Sequence, residues 1–300
     1  MTRVIAFGEC MVELSLVTAE TAEIGYAGDT YNTAVYLSRL GRRVAYATAL
    51  GRGDRFSRGI LERMAAEGIE TDLVTEVEGR LPGLYAIERD AAGERSFFYW
   101  RGEAPVREYL RFADEARLAR AFGEAELVYL SGISLAVIGE AGRARMLELL
   151  SRAAQAGTAI AFDPNYRARL WPSSQTARAA LEAIAPFCRF LSFGAADLAA
   201  LHEGPAAEVA RAWAAQGVEV VQRNEDRTVR VHSGAGVESF APEPCGEVVD
   251  TTGAGDSFNA AYLAARLAGD PVAASVAAAR ALAACVVARR GAIIPREAHP

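Results

Sequence analysis

The densest chemistry in the chain lies in Asp250-Thr-Thr-Gly-Ala-Gly-Asp256-Ser-Phe258. The β-type pair Val248-Val249 precedes it and a helical pattern from Asn259 to Leu267 follows, so the spacing predicts a strand, a glycine turn and a helix start. Gly253 and Gly255 permit positive φ and carry no Cβ that would block a phosphate. The first helical amides then point outward with the positive end of the helix dipole. Such a turn holds an anion. Asp256, in the first helical turn, has two readings. It is a cap for the helix, or it is a general base that takes the proton from an attacking hydroxyl as a phosphoryl group arrives.

A second polar group, Gly28-Asp29-Thr30-Tyr31-Asn32, also leads into a helical pattern. Asp29 only accepts hydrogen bonds and Asn32 both donates and accepts, a combination suited to vicinal hydroxyls. The alternative is that Asp29 or Thr30 caps the helix. Glu9, Glu13 and Asp163 are further carboxylates near predicted strand ends, where ligands collect in open α/β sheets, and no catalysis is assigned to them.

The cations that could meet an anion are all of one kind. The chain has no lysine, so its 32 basic residues are all arginine. A Walker-type phosphate loop, the protein-kinase strand lysine, a Schiff-base aldolase and a pyridoxal-phosphate enzyme all need a lysine amine and are excluded. Phosphate or carboxylate must be held by arginine forks and backbone amides. The net charge of −6 argues against nucleic acid as a partner. Cys10, Cys188, Cys245 and Cys285 are widely spaced and far from His202, His232 and His299. This predicts reduced, buried thiols and no metal site in the protein itself.

These residues need a scaffold. Half of the 300 residues are hydrophobic, enough to cover both faces of a buried sheet. Apolar runs at Val4 to Phe7, Val44 to Ala47, Leu127 to Ser131, Ala159 to Phe162, Phe190 to Ser192 and Val218 to Val221 read as strands. They alternate with amphipathic helices near Asn32 to Leu40, Phe56 to Glu67, Arg143 to Ala156, Thr176 to Ala185 and Glu208 to Gln216. That rhythm predicts an α/β fold with a mostly parallel sheet and helices on both faces. Leu14 to Ala27 reads as strand-turn-strand. Leu84 to Arg89 and Ser96 to Arg101 read as a hairpin around Asp90-Ala-Ala-Gly93. Together they predict a small sheet, a lid of residues 13–31 and 80–104, on a single domain spanning residues 1–300. Pro271 to Ala288 is apolar, but Arg280 and its many alanines make it a core helix rather than a membrane span. The start of the chain resembles neither a secretory signal nor a transit peptide, so a cytoplasmic location is expected.

Asp250-Thr-Thr-Gly-Ala-Gly-Asp256 resembles the C-terminal signature of the ribokinase-like (PfkB) carbohydrate kinases, and Gly28 to Asn32 resembles their N-terminal sugar-binding signature, with Ala27 in place of a first glycine. Arg80-Leu-Pro-Gly-Leu-Tyr85, Phe98-Tyr-Trp-Arg101 and Asp163-Pro-Asn-Tyr-Arg167-Ala-Arg-Leu-Trp171 narrow the resemblance to the 2-keto-3-deoxygluconate kinases. The resemblance implies ATP and Mg²⁺ as co-substrate and metal, and a sugar acid as acceptor. It makes Asp256 the base and the amides of Gly253, Ala254 and Gly255 the stabilisers of the transferred phosphoryl group. Gly28, Asp29, Asn32, Tyr85, Tyr99, Arg101, Ile133, Arg167 and Asp256 are the expected substrate contacts. The two arginines suit a carboxylate, and the tyrosines suit a carbon face. Asn165, Ser192, Arg223, Asn224 and the 253–255 turn are the expected nucleotide contacts. The exposed lid predicts a homodimer.

Two departures fall in the nucleotide half. Where the family has a Lys-Arg-Gly-x-x-Gly turn, this chain reads Gln222-Arg-Asn-Glu-Asp-Arg-Thr228, with Arg227 or Thr228 bringing a side chain where glycine allowed close approach, and where an Asn-x-x-Glu motif is common it has Ser192-Phe-Gly-Ala195. Glu225 and Asp226 weaken ATP binding if they face it and change little if they face solvent. Asp197, two residues on from Ala195, stands as a substitute carboxylate. Two alternatives to the sugar-acid kinase therefore stay open: a sugar-acid-binding protein with weakened phosphoryl transfer, and a kinase for another sugar such as fructose or ribose.

Overall fold

The computed structural model describes residues 3–89, 95–202, 204–243 and 246–299, with the backbone alone at Arg89. The expected turn at 90–93 and Cys245 lie outside the described residues. Fourteen strands occur among the described residues. In chain order they are β1 Val4–Phe7, β2 Met11–Leu16, β3 Ala22–Ala27, β4 Val44–Gly51, β5 Ile69–Glu70, β6 Val74–Val77 and β7 Leu84–Arg89. They continue with β8 Arg95–Trp100, β9 Leu127–Ser131, β10 Ala159–Asp163, β11 Phe190–Gly194, β12 Glu219–Arg223, β13 Val229–Ser233 and β14 Gly236–Phe240.

The main sheet runs β14-β13-β12-β11-β10-β9-β1-β4-β5, with β6 also on β4. From β12 to β4 every neighbouring pair is parallel. These strands are apolar runs rather than alternating ones because both faces are covered. In β1 the period of two sends Ile5 and Phe7 into one core and Val4 and Ala6 into the other. The first core packs under the helices Gly139–Gln155 and Ser174–Ile184, the second under Asp29–Arg39, Ala254–Ala268 and Val272–Val287. The last of these is the expected core helix, and no helix among the described residues is long and apolar enough to cross a membrane.

One expectation needs correction. Val248 and Val249 do not form a strand. Both are exposed, and the amides of Val249 and Asp250 donate to the carbonyl of Val287, at 2.8 and 3.1 Å, so a helix end rather than a sheet neighbour takes this segment. The antiparallel strands β13 and β14, which continue the sheet past β12 at one edge, were not anticipated, because they are short and interleave apolar residues with Arg230, His232 and Glu238 instead of forming an uninterrupted apolar run.

The turn between β12 and β13 contains Arg227 at φ 64°, where glycine would be unstrained. Its amide donates to the Asn224 carbonyl at 2.9 Å, and its side chain is exposed. Relief of the left-handed strain makes Arg227→Gly more stable by about 0.5–1 kcal/mol, after glycine's larger unfolded-state entropy is subtracted. Thermal unfolding checks this, with Arg227→Ala as the control that shows no gain.

The smaller sheet has the order β3-β2-β7-β8. Met11, Ala27, Tyr85 and Ile87, with Phe97, pack into a core of their own, and Phe97 and Tyr99 lie on one face of β8. Phe98 and Trp100 alternate to the other face and are exposed, Trp100 by 62 %. Trp171 and Trp213 are buried. Cys10 and Cys188 are buried and Cys285 partly so, and all three are free thiols.

Candidate active site

A cleft of about 1220 Å³ opens at the carboxyl ends of the parallel strands and is roofed by the lid. Glu9 follows β1, Ile133 follows β9, Asp163 ends β10, Gly194 ends β11 and Arg223 ends β12, so the strand ends deliver one group each. The lid adds Tyr85, Arg95, Phe97, Tyr99 and Arg101. Of the expected residues, Gly28, Asp29, Asn32, Tyr85, Tyr99, Arg101, Ile133, Asn165, Arg167, Arg223, Gly253, Gly255 and Asp256 all line this one space.

At its floor the helix Ala254–Ala268 begins on Gly253, which is left-handed at φ 76°. A Cβ there would lie 2.6 Å from the Ala292 carbonyl, and one on Gly255 would lie 2.6 Å from Arg223 Nη1. Backbone contact and positive φ restrict 253 to glycine, while a side chain at 255 would have to displace the Arg223 guanidinium. Gly253 is the N-cap and makes no side-chain cap bond, so Asp256 is not the helix cap. Its Oδ2 accepts from Asn32 Nδ2 at 2.8 Å, across from the other signature. Burial, then the charge of Asp29, push its pKa up to about 8, with Asp163 adding to this and Asn32 and Arg223 opposing it. A carboxylate so placed is a base matched to neutral and mildly alkaline solution.

Ala254 is not part of the lining. Its amide turns back to the Thr251 carbonyl at 3.3 Å to close the turn, which leaves Gly253 and Gly255 as the glycine walls of the cleft.

Gly28 is required by contact, since a Cβ there would come within 2.0 Å of the Glu9 carbonyl. Asp29 Oδ2 accepts from Asn165 Nδ2 at 2.8 Å, and the Asn165 amide donates to Asp163 Oδ1 at 2.9 Å with Asn165 at φ 34°. Asn165 thus stands between the acceptor and nucleotide signatures rather than on the nucleotide side alone.

Asp163 Oδ2 accepts from Arg223 Nη2 at 2.9 Å and from Asn259 Nδ2 at 2.7 Å. Ser192 Oγ donates to Asn259 Oδ1 at 2.7 Å. Asn259 was not foreseen. Its signal is an amide three residues past Asp256 on the buried face of an otherwise apolar helix. Ser192 does not reach the cleft, because this bond holds it beneath the floor. Asn224 does not reach it either, since its amide side chain closes the hairpin through Thr228 O at 3.1 Å and Gln222 Nε2 at 2.7 Å. Glu225 and Asp226 are exposed and not in the lining, so they face solvent. Arg223 is the cation of this half.

Arg101 is engaged already, in a buried ion pair with Glu9, while Arg167 is 54 % exposed and 3.7 Å from Asp197. Arg167 is the freer fork. Asp197 lines the cleft against Gly194, and burial, then Asp163, raise its pKa. It stands where Ala195 offers no carboxylate. Tyr85 donates to Glu13, and its ring packs on Tyr99 at 5.7 Å. Among the described residues no group of three or more His, Cys, Asp and Glu could hold a metal ion by itself.

The chain matches the family profile "pfkB family carbohydrate kinase" over residues 1–299. It is 41% identical to a 2-dehydro-3-deoxygluconokinase of Dickeya dadantii, covering 98% of this chain and 97% of the other. Identity to the enzyme of that name from Escherichia coli K12 is 38%, over 99% of both chains. The crystal structure of a 2-dehydro-3-deoxygluconokinase from Thermotoga maritima superposes with a TM-score of 0.84 at 22% identity, covering 98% and 94% of the two chains. Sheet order, lid and glycine-led helix define the ribokinase-like α/β fold. Within it, the chain belongs to the PfkB family of carbohydrate kinases.

Proposed function

We propose that the protein transfers the γ-phosphoryl group of ATP to the 6-hydroxyl of 2-dehydro-3-deoxygluconate, the compound also called 2-keto-3-deoxygluconate, giving the 6-phosphate and ADP. The observation that carries this reading is Asp256, shielded beside a glycine-led helix start in the same cleft as two arginines that suit an acid. Near-full-length identity to enzymes of this name supports the choice of acceptor.

In this reading Arg167 and Arg101 hold the carboxylate, while Asp29 and Asn32 take hydroxyls. Tyr85 and Tyr99 cover the carbon chain, and the lid excludes water. Asp256 accepts the 6-hydroxyl proton as the O6–P bond forms and the bond from phosphorus to the β,γ-bridging oxygen breaks. The bridging oxygen leaves with ADP. Amides at Gly253 and Gly255, the helix dipole and Arg223 stabilise the charge on the moving group. Mg²⁺ enters with ATP as part of the co-substrate. Asp163 and Asp197, the carboxylates on this side of the cleft, would hold it through water, and the ion would neutralise charge on the phosphates. Location in the cytoplasm, with ATP, fits the free thiols.

Incubation with ATP, Mg²⁺ and the sugar acid, followed by phosphorus NMR, tests the reading. A new ester phosphorus coupled to two protons, those on C6, is expected. ATP left intact, or an ester at a secondary carbon, contradicts it. The exposed Leu16, Ile24, Phe98 and Trp100 of the lid suit a second copy of the chain. Light scattering of wild type and Trp100→Glu is expected to give a dimer and a monomer. A monomeric wild type contradicts this.

A further inference from the structure

Arg95 begins β8 and reaches out of the lid to the phosphate-binding turn. Its Nη1 donates to Asp250 Oδ1 and to Thr252 Oγ1, and its guanidinium packs 5.8 Å from the Phe97 ring centre. Asp250 organises that turn. It accepts from the Thr252 amide at 2.8 Å and, from the chain beyond the last helix, the Gly291 amide at 3.1 Å. Gly253, the left-handed residue on which the helix begins, comes next in sequence after Thr252. The other end of the same strand carries Tyr99, with Arg101 just beyond it, both lining the cleft where the sugar acid is proposed to sit. A six-residue strand of about 20 Å therefore has the acceptor site at one end and the phosphate turn at the other.

We infer that Arg95 is a positioning residue that couples the sugar-acid site to the phosphate turn through the lid strand. A strand is stiff along its axis and β8 is hydrogen-bonded to β7 along its length, so fixing Tyr99 and Arg101 against a sugar acid also fixes where Arg95 sits. The guanidinium then holds Asp250 and Thr252, and with them the start of the helix, in the geometry that receives the γ-phosphate. Lifting the lid withdraws the cation and loosens the turn. Each substrate consequently tightens the other, and by linkage the two factors are equal. No lysine exists to take the role, and the planar fork serves two acceptors at once.

The coupling rests on the phosphoryl-transfer reading above, but it is read out by binding and so fails separately from it. Calorimetry gives the Kd of a non-hydrolysable ATP analogue with Mg²⁺, without and with saturating sugar acid, for wild type, Arg95→Ala and Arg95→Lys. The expected ratio of the two Kd values is at least about fivefold in wild type, within the usual range of coupling between sites. In Arg95→Ala it falls to within about twofold of one, as does the reciprocal ratio for the sugar acid. Both binary Kd values stay within about twofold of wild type and kcat falls about tenfold, while Tm drops because buried Asp250 loses the Arg95 cation, as Glu9 loses its own in Arg101→Ala. Arg95→Lys recovers part of both. A wild-type ratio of one, or a ratio and kcat kept in Arg95→Ala, overturns the inference. So does a lost ratio accompanied by weakened binary binding of both ligands, which would make Arg95 only a structural tie. Absence of ADP formation by the wild type, with the coupling intact, would instead count against the proposed reaction.

Discussion

Asp256→Asn lowers kcat by about 10²–10⁴-fold, the span of general-base catalysis, while making the protein more stable at pH 8. Both effects come from one cause. Asparagine keeps the shape and the contact with Asn32 but cannot take the proton of the acceptor hydroxyl. It also removes a charge held at the cleft floor near Asp29 and Asp163, which together with burial raises the Asp256 pKa from 3.8 to about 8. A raised folded-state pKa means that the protonated form suits the fold. The stabilisation is complete below pH 4 and is lost as pH rises through about 8. Asparagine, neutral throughout, does not lose it. The cleft admits water, which tempers the gain to on the order of 1–2 kcal/mol, or about 2–5 °C in Tm, at pH 8 to 9, vanishing near pH 4. In wild type kcat/KM rises about tenfold per pH unit up to about pH 8, because the base must be ionised to act. Thermal unfolding across pH and the pH profile check both parts. A mutant with wild-type turnover, or one less stable at pH 8, contradicts the account.

Arg167→Ala raises KM for the sugar acid by about ten- to a hundredfold, the size of one charge-assisted hydrogen bond of about 1.5–3 kcal/mol. Tm does not change. The guanidinium is half exposed, 3.7 Å from Asp197, and such a pair contributes little to folding. A neutral sugar such as fructose shows no comparable change. Arg101→Ala weakens sugar-acid binding as well but also lowers Tm, because it leaves Glu9 buried without its cation. The contrast separates an arginine that waits for the substrate from one the fold already uses. Steady-state kinetics with both sugars and unfolding of both variants measure it, and an equal loss for acid and neutral sugars contradicts the carboxylate role.

The parallel strands were legible because burial on both faces leaves uninterrupted apolar runs, so β1 and β9 fall where the pattern places them. The edge hairpin was not, since polar residues on its open side dilute the same signal. In the site, motifs singled out Asp29, Asn32 and Asp256 because glycine turns and helix starts are local. What they could not give was the pairing across elements. Arg101 lies against Glu9, Asn165 reaches back to Asp29, and Ser192 stops short at Asn259, each decided by strands and helices far apart in the chain. The substitutions at 224–227 looked costly for ATP as a string. In three dimensions Glu225 and Asp226 turn to solvent, and Arg223 lines the cleft and pairs with Asp163. Asn224 and Arg227 take the places of glycines in a hairpin turn outside the cleft.

The most direct measurement is ADP formation with Mg²⁺ and ATP, comparing kcat/KM for 2-dehydro-3-deoxygluconate with that for fructose. The account predicts a preference for the acid of at least about a hundredfold, lost with Asp256→Asn for both. Equal or better turnover of fructose would contradict the acid-binding role of the arginines and the proposed reaction with it.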